Sequence, residues 1–119
     1  MEWLRILLLS SSLVSVTDGD TVRLANGQGV RLTGFNTPEI FSPKCEKEKQ
    51  LGLKAKTRLT ALVRAGAQLT LTGSSCAYGR ACGTLVVHGE NVGDILIREG
   101  LAERMVCTSS CPRARDWCS

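Results

Sequence analysis

The chain has 119 residues, enough for one domain with a real core. Its hydrophobic fraction of 43% is ordinary, and 15 Lys and Arg against 11 Asp and Glu leave a formal charge of +4, a mild basic bias that suits a polyanion. No run of about 20 apolar residues is present, which excludes a membrane-spanning helix within this stretch.

Residues 1–12 hold a charged start, a short apolar run from Ile6 to Leu9 and Ser10-Ser11-Ser12. They read either as a clipped secretory signal or as an extra first strand. Leu13 to Val16 and Thr21 to Leu24 read as two β segments hinged at Asp18-Gly19-Asp20. Two carboxylates that close repel each other unless a cation or strong donor lies between them, so the hinge invites a metal. Asn26-Gly27 and Gly29 then make a hairpin turn.

The stretch Val30 to Glu39 carries most of the chemistry. Val30 and Leu32 alternate with Arg31 and Thr33, the strand breaks at Gly34, and Thr37-Pro38-Glu39 follows. Proline fixes its own φ and bars the preceding residue from the helical region, so the strand should run into a rigid, non-helical turn. That turn offers the Asn36 amide, the Thr37 hydroxyl and carbonyl and the Glu39 carboxylate, with the Arg31 guanidinium on the strand feeding it. Oxygen ligands beside a fixed cation are what a hard metal and a phosphate require together.

From Ser42-Pro43 the period changes. Leu51, Ala55, Leu59, Leu62 and Val63 form one helical stripe that Gly66 ends, and the opposite face is basic, with Glu46 and Glu48 as its counter-charges. Gln68 to Thr72 alternates as a strand, Tyr78-Gly79-Arg80 is a turn, and Gly83 to Val87 is another strand. Asn91 caps a short helix with Val92, Ile95 and Leu96 inward, closed by Gly100. Residues 107–119 read as an irregular, cysteine-containing tail after a domain over 13–106.

Six cysteines, Cys45, Cys76, Cys82, Cys107, Cys111 and Cys118, are many for a reduced cytosolic domain and allow three disulfides. Cys76 and Cys82 could staple the Tyr78-Gly79-Arg80 turn. Cys45 could tie the first helix to Cys107, Cys111 or Cys118. A zinc-stabilised module is the rival, opposed by the lack of any C-x-x-C pair and by His88 being the only histidine. Together the elements predict a small twisted β-barrel with helices, an OB-type fold of five strands capped by two or three helices.

Four pieces now stand in order: Asp18-Gly19-Asp20-Thr21-Val22; Arg31-Leu32 with Asn36-Thr37-Pro38-Glu39; Tyr78-Gly79-Arg80; and Val92 to Ala102. In order and spacing they resemble the staphylococcal nuclease (thermonuclease) family over residues 13 to 105. The resemblance implies a calcium-dependent phosphodiesterase, an endonuclease, acting on DNA or RNA. With the signal-like start and the cysteines, the chain reads as secreted or periplasmic, a monomer with no obligate protein partner. By position it implies Asp20, Asn36 and the Thr37 carbonyl as Ca2+ ligands and Glu39 as the group that positions or deprotonates water. Arg31 and Arg80 would hold the phosphate, and Tyr78 would line the nucleotide pocket.

Three departures accompany the resemblance: Asn36 stands where the family has a second aspartate, Ala77 where lysine is common, and the chain ends soon after the second helix. The loss of one formal charge at Asn36 predicts weaker metal binding. A second expectation follows from it, a nuclease-like module that binds nucleic acid or protein without cutting.

Overall fold

The computed structural model describes residues 13–119, so both readings of residues 1–12 lie outside the described residues. Strand β1 (Leu13–Asp18) pairs antiparallel with β2 (Thr21–Leu24), and β2 with β3 (Gly29–Leu32) across the Asn26-Gly27 turn. The chain continues through β4 (Gly34–Asn36), helix α1 (Glu46–Arg64), β5 (Gln68–Gly73) and β6 (Ala81–Val87). It ends with the short β7 (Glu90–Asn91), helix α2 (Val92–Arg98) and β8 (Glu103–Met105) before the tail.

Hydrogen bonding orders the main sheet β1-β2-β3-β6-β5, with β7 on β6, while β4 and β8 form a separate antiparallel pair. The sheet is mixed because β3 and β6 run parallel, setting Val30, Arg31 and Leu32 against Ala81, Cys82 and Gly83. This order and the two helices are consistent with an OB-type architecture. Among the described residues the ladder is open between β1 and β5.

The inward residues Val22, Val30, Leu32 and Leu85 are fully buried, and α1 and α2 lay Leu59 and Leu96 on them. Each such side chain contributes about 1.5–3 kcal/mol on burial. The expected stripe on α1 is therefore its core face. Arg64 is its last residue, and Gly66 follows at φ +103. No helix of the described residues is long and apolar enough to cross a membrane.

The tail is pinned by one of the pairings left open, Cys118 to Cys45, and Trp117 beside it is only 5% exposed. Two expectations change. The turn expected after Gly34 begins as strand β4, because β8 supplies a partner 67 residues away in sequence at the Asn36–Glu103 pair. Glu48, expected on the solvent face of α1, is buried and turned back toward the loop before the helix.

Helix α1 packs closely on the Pro38–Ile40 turn, and Gly52 is the reason it can. A Cβ there would lie 2.7 Å from the Pro38 carbonyl oxygen and 2.5 Å from Ile40 Cγ2. Gly52→Ala is expected to destabilise the fold by about 1–3 kcal/mol through overpacking, outweighing the ~1 kcal/mol that alanine gains as a helix former. A urea titration checks it; a stabilised variant would mean that the helix and turn can move apart freely.

Candidate active site

Five elements bring the chemistry-bearing residues together. The β1–β2 hinge carries Asp18 and Asp20, β3 carries Arg31, β4 and the turn after it carry Asn36, Thr37 and Glu39, the loop before β6 carries Arg80, and α1 backs them. Gly19 lets the hinge approach, since a Cβ there would meet Thr37 Cγ2 at 2.7 Å and Ala55 Cβ at 2.8 Å.

Asp20 is the hub. Its Oδ2 accepts from the Thr37 amide at 3.1 Å and the Thr37 hydroxyl at 3.2 Å and pairs with Arg31 Nη1 at 3.2 Å, while Oδ1 accepts from the Thr21 hydroxyl at 3.2 Å. Thr21 in turn accepts from Arg80 Nη1 at 3.5 Å. Both guanidiniums are thus joined to one buried carboxylate, Arg31 directly and Arg80 through Thr21. Arg31 Nη1 also donates to the Leu32 carbonyl at 2.7 Å and the Phe35 carbonyl at 3.2 Å, so the side chain is set before any ligand arrives.

Asn36 bridges two neighbours: its Oδ1 accepts from Arg31 Nη2 at 3.4 Å and its Nδ2 donates to Glu103 Oε2 at 3.2 Å. An aspartate here would face the Glu103 carboxylate, and the amide removes that repulsion. Glu39 is exposed at the end of the turn, and its backbone amide donates to Glu48 Oε2 at 3.2 Å while that of Lys44 donates to Oε1 at 2.8 Å. Glu48 therefore pins both ends of the loop that presents Glu39. The signal for it was the spacing Cys45-x-x-Glu48, a helix-start pattern in which Cys45 Sγ accepts from the Glu48 amide. Thr21 carried no separate signal, because a threonine in a strand is ordinary.

The carboxylates are crowded. Burial, then the charge of Asp20, pushes the Asp18 carboxyl from its ordinary 3.8 up to about 7. Partial desolvation, then Asp20 and Glu48, raises Glu39, against the pull of Arg31 and Arg80. Among the described residues no group of three or more His, Cys, Asp and Glu stands ready to hold a metal. A cation here would draw on amide, backbone and water oxygens as well as carboxylates. The donors in reach are all hard oxygens, and their crowding is what a divalent cation relieves, so the set fits an ion of the calcium class.

The raised pKa of Asp18 is a stability statement with a definite sign. The stability it contributes is fully present below about 3.8 and is lost as pH rises through about 7, because the folded state then holds a charge it disfavours. Asp18→Asn removes that loss and still accepts from the Asp20 amide, a bond of 3.0 Å in the parent. We expect it to stabilise the metal-free protein by on the order of 2–4 kcal/mol at pH 8 and by almost nothing near pH 3.5. Thermal melts at both pH values check this, and a pH-independent gain would reject the assigned cause.

The Arg80 loop is the most unusual backbone. Ala77, Tyr78 and Gly79 have φ of +65, +53 and +72 in succession, inside the ring closed by Cys76–Cys82. Arg80 Nε donates to the Ala77 carbonyl at 3.2 Å, its guanidinium lies 5.4 Å from the Tyr78 ring centre, and Gln28 Nε2 donates to the Gly79 carbonyl at 2.8 Å. Cys82 is the register partner of Arg31, so the bond ties the Arg80 loop to the strand position beside the other arginine. The third disulfide joins Cys107 to Cys111, leaving no free cysteine among the described residues.

Comparison with curated proteins finds no match. The family model described as "Staphylococcal nuclease homologue" matches residues 29–117.

Proposed function

The chain belongs to the staphylococcal nuclease homologue family, whose members are generally hydrolases of nucleic acid, and from that premise we propose that it is a calcium-dependent nuclease cutting phosphodiester bonds of DNA or RNA. The observation that carries the reading is that one buried carboxylate, Asp20, orders both guanidiniums beside Glu39, Arg31 by a direct ion pair and Arg80 through the Thr21 hydroxyl. Residues 13–106 are read as an OB-like barrel and 107–119 as its disulfide-tied tail. Three disulfides suit an oxidising location, secreted or periplasmic.

In this reading Asp20, the Asn36 amide and the Thr37 carbonyl would hold calcium, with Asp18 next to them, and the ion would supply charge neutralisation and orientation to the phosphate. Arg31 and Arg80 donate to the non-bridging oxygens, whose charge grows as water attacks phosphorus. Glu39 takes the proton of that water. Glu48 keeps the Glu39 backbone in place. Tyr78, 94% exposed beside Arg80, offers a ring to a base.

The test is plasmid nicking by the purified protein with calcium and with chelator, beside Glu39→Gln. Cleavage should need calcium, and the variant should lose about 10²- to 10⁴-fold in rate. Chelator-resistant cleavage would remove calcium from the reading. One observation favours a second reading, a module that binds without cutting: the Asn36 amide is already engaged by Arg31 and Glu103. Folded protein that binds a polynucleotide but never nicks it would establish that alternative.

A further inference from the structure

Arg80 lines two separate cavities. One, of about 490 Å³, is largely apolar and has Arg31, Leu32, Phe35, Met105 and Val106 in its walls. The other, of about 550 Å³, is lined by Asp18, Thr21, Arg23, Gln28, Phe41 and Tyr78 along with Arg80. Nothing in the proposed chemistry uses Arg23 or Phe41.

An apolar ring left in water is what costs free energy here. Phe41 is 69% exposed and Tyr78 94%, two aromatic faces on one groove in a chain where aromatics are only 4% of residues. Arg23 is exposed, its Nη1 donates to the Gly27 carbonyl at 2.7 Å, and among the described residues no carboxylate pairs with it. Aromatic faces beside an uncompensated guanidinium are what a nucleotide needs, the base stacking and the phosphate taking the charge-assisted bonds. On this wall the guanidiniums of Arg23 and Arg80 are the groups able to receive a phosphate.

We infer that this groove is a second nucleotide subsite, holding an unpaired nucleotide on the other side of the cleaved phosphate from the apolar cavity. The inference rests on the nuclease reading above. Because Arg80 belongs to both cavities, a strand held at its phosphate places one neighbour in each. A base that stacks on Phe41 or Tyr78 has left its own stack, so the strand in the groove is single.

The test compares two substrates in calcium: a short single-stranded oligonucleotide, and the methyl ester of a 5′-nucleotide, whose phosphate carries a nucleoside on one side only and nothing that stacks on the other. Phe41→Ala and Arg23→Gln, both at exposed positions, should each raise KM for the oligonucleotide roughly 5- to 100-fold with kcat unchanged. Neither should alter cleavage of the small ester. Arg23→Gln should also flatten the salt dependence of oligonucleotide binding by about 0.7 in log–log slope, the share of one phosphate contact. An unchanged oligonucleotide KM, or an equal loss on both substrates, overturns the subsite. If the parent cleaves neither substrate, fluorescence anisotropy of the labelled oligonucleotide decides. Weaker binding by both variants keeps the subsite while the nuclease reading falls, and equal binding overturns the subsite itself.

Discussion

Arg31→Ala is expected to lower the single-turnover cleavage rate by about 10²- to 10³-fold, as loss of a preorganised transition-state donor does. The loss should exceed that of Arg31→Lys, which keeps the charge but not the planar fork. The substitution also strips Asp20 of its ion-pair partner, and Asp20 is a side chain only 10% exposed. An uncompensated carboxylate beside Asp18 should cost the metal-free protein about 1–3 kcal/mol. Calcium should restore part of that loss, because the cation takes over the charge Arg31 balanced. Cleavage rates and melting curves with and without calcium separate the two effects. A variant cutting within a few-fold of the parent would remove Arg31 from the phosphate-binding role.

The largest stability effect should come from replacing both Cys45 and Cys118 by serine. This bond spans a sequence separation of 73, and closing so long a ring removes about 4 kcal/mol of unfolded-chain entropy. A domain of this size is stable by about 5–15 kcal/mol, so the loss is a large fraction of the whole. Serine is itself a favoured helix N-cap, so Cys45→Ser preserves the bond accepted from the Glu48 amide and isolates the cross-link. The urea midpoint should fall sharply while the cleavage rate of the folded fraction holds. An unchanged midpoint would mean that contacts such as those burying Trp117 hold the tail unaided.

What was legible in the chain was local. The hinge at Asp18-Gly19-Asp20, the Asn26-Gly27 turn, the stripe Ala55-Leu59-Leu62 and the Asn91 cap each depend on residues a few positions apart, and each forms as its spacing implies. What escaped was set by distant partners. β4 exists because β8 pairs with it, and the Asn36 amide is explained only once Glu103 stands opposite. Glu48 looked like one more charge on an exposed face, yet two backbone amides draw it inward. The parallel pairing of β3 with β6, which brings Arg31 beside Cys82 and hence near Arg80, has no local signature.

The three disulfides are not alike in what they protect. The Cys76–Cys82 ring has a sequence separation of only 6, so opening it returns far less chain entropy than opening the Cys45–Cys118 ring. Inside it, however, Ala77 and Tyr78 sit in the left-handed region, at a cost of about 1 kcal/mol or more each. Opening this ring alone frees that strained backbone to relax, and with it the seat of the Arg80 guanidinium, while the Cys45–Cys118 bond still holds the tail on the sheet core. A reductant that opens all three rings also removes the larger stabilisation that the long ring supplies.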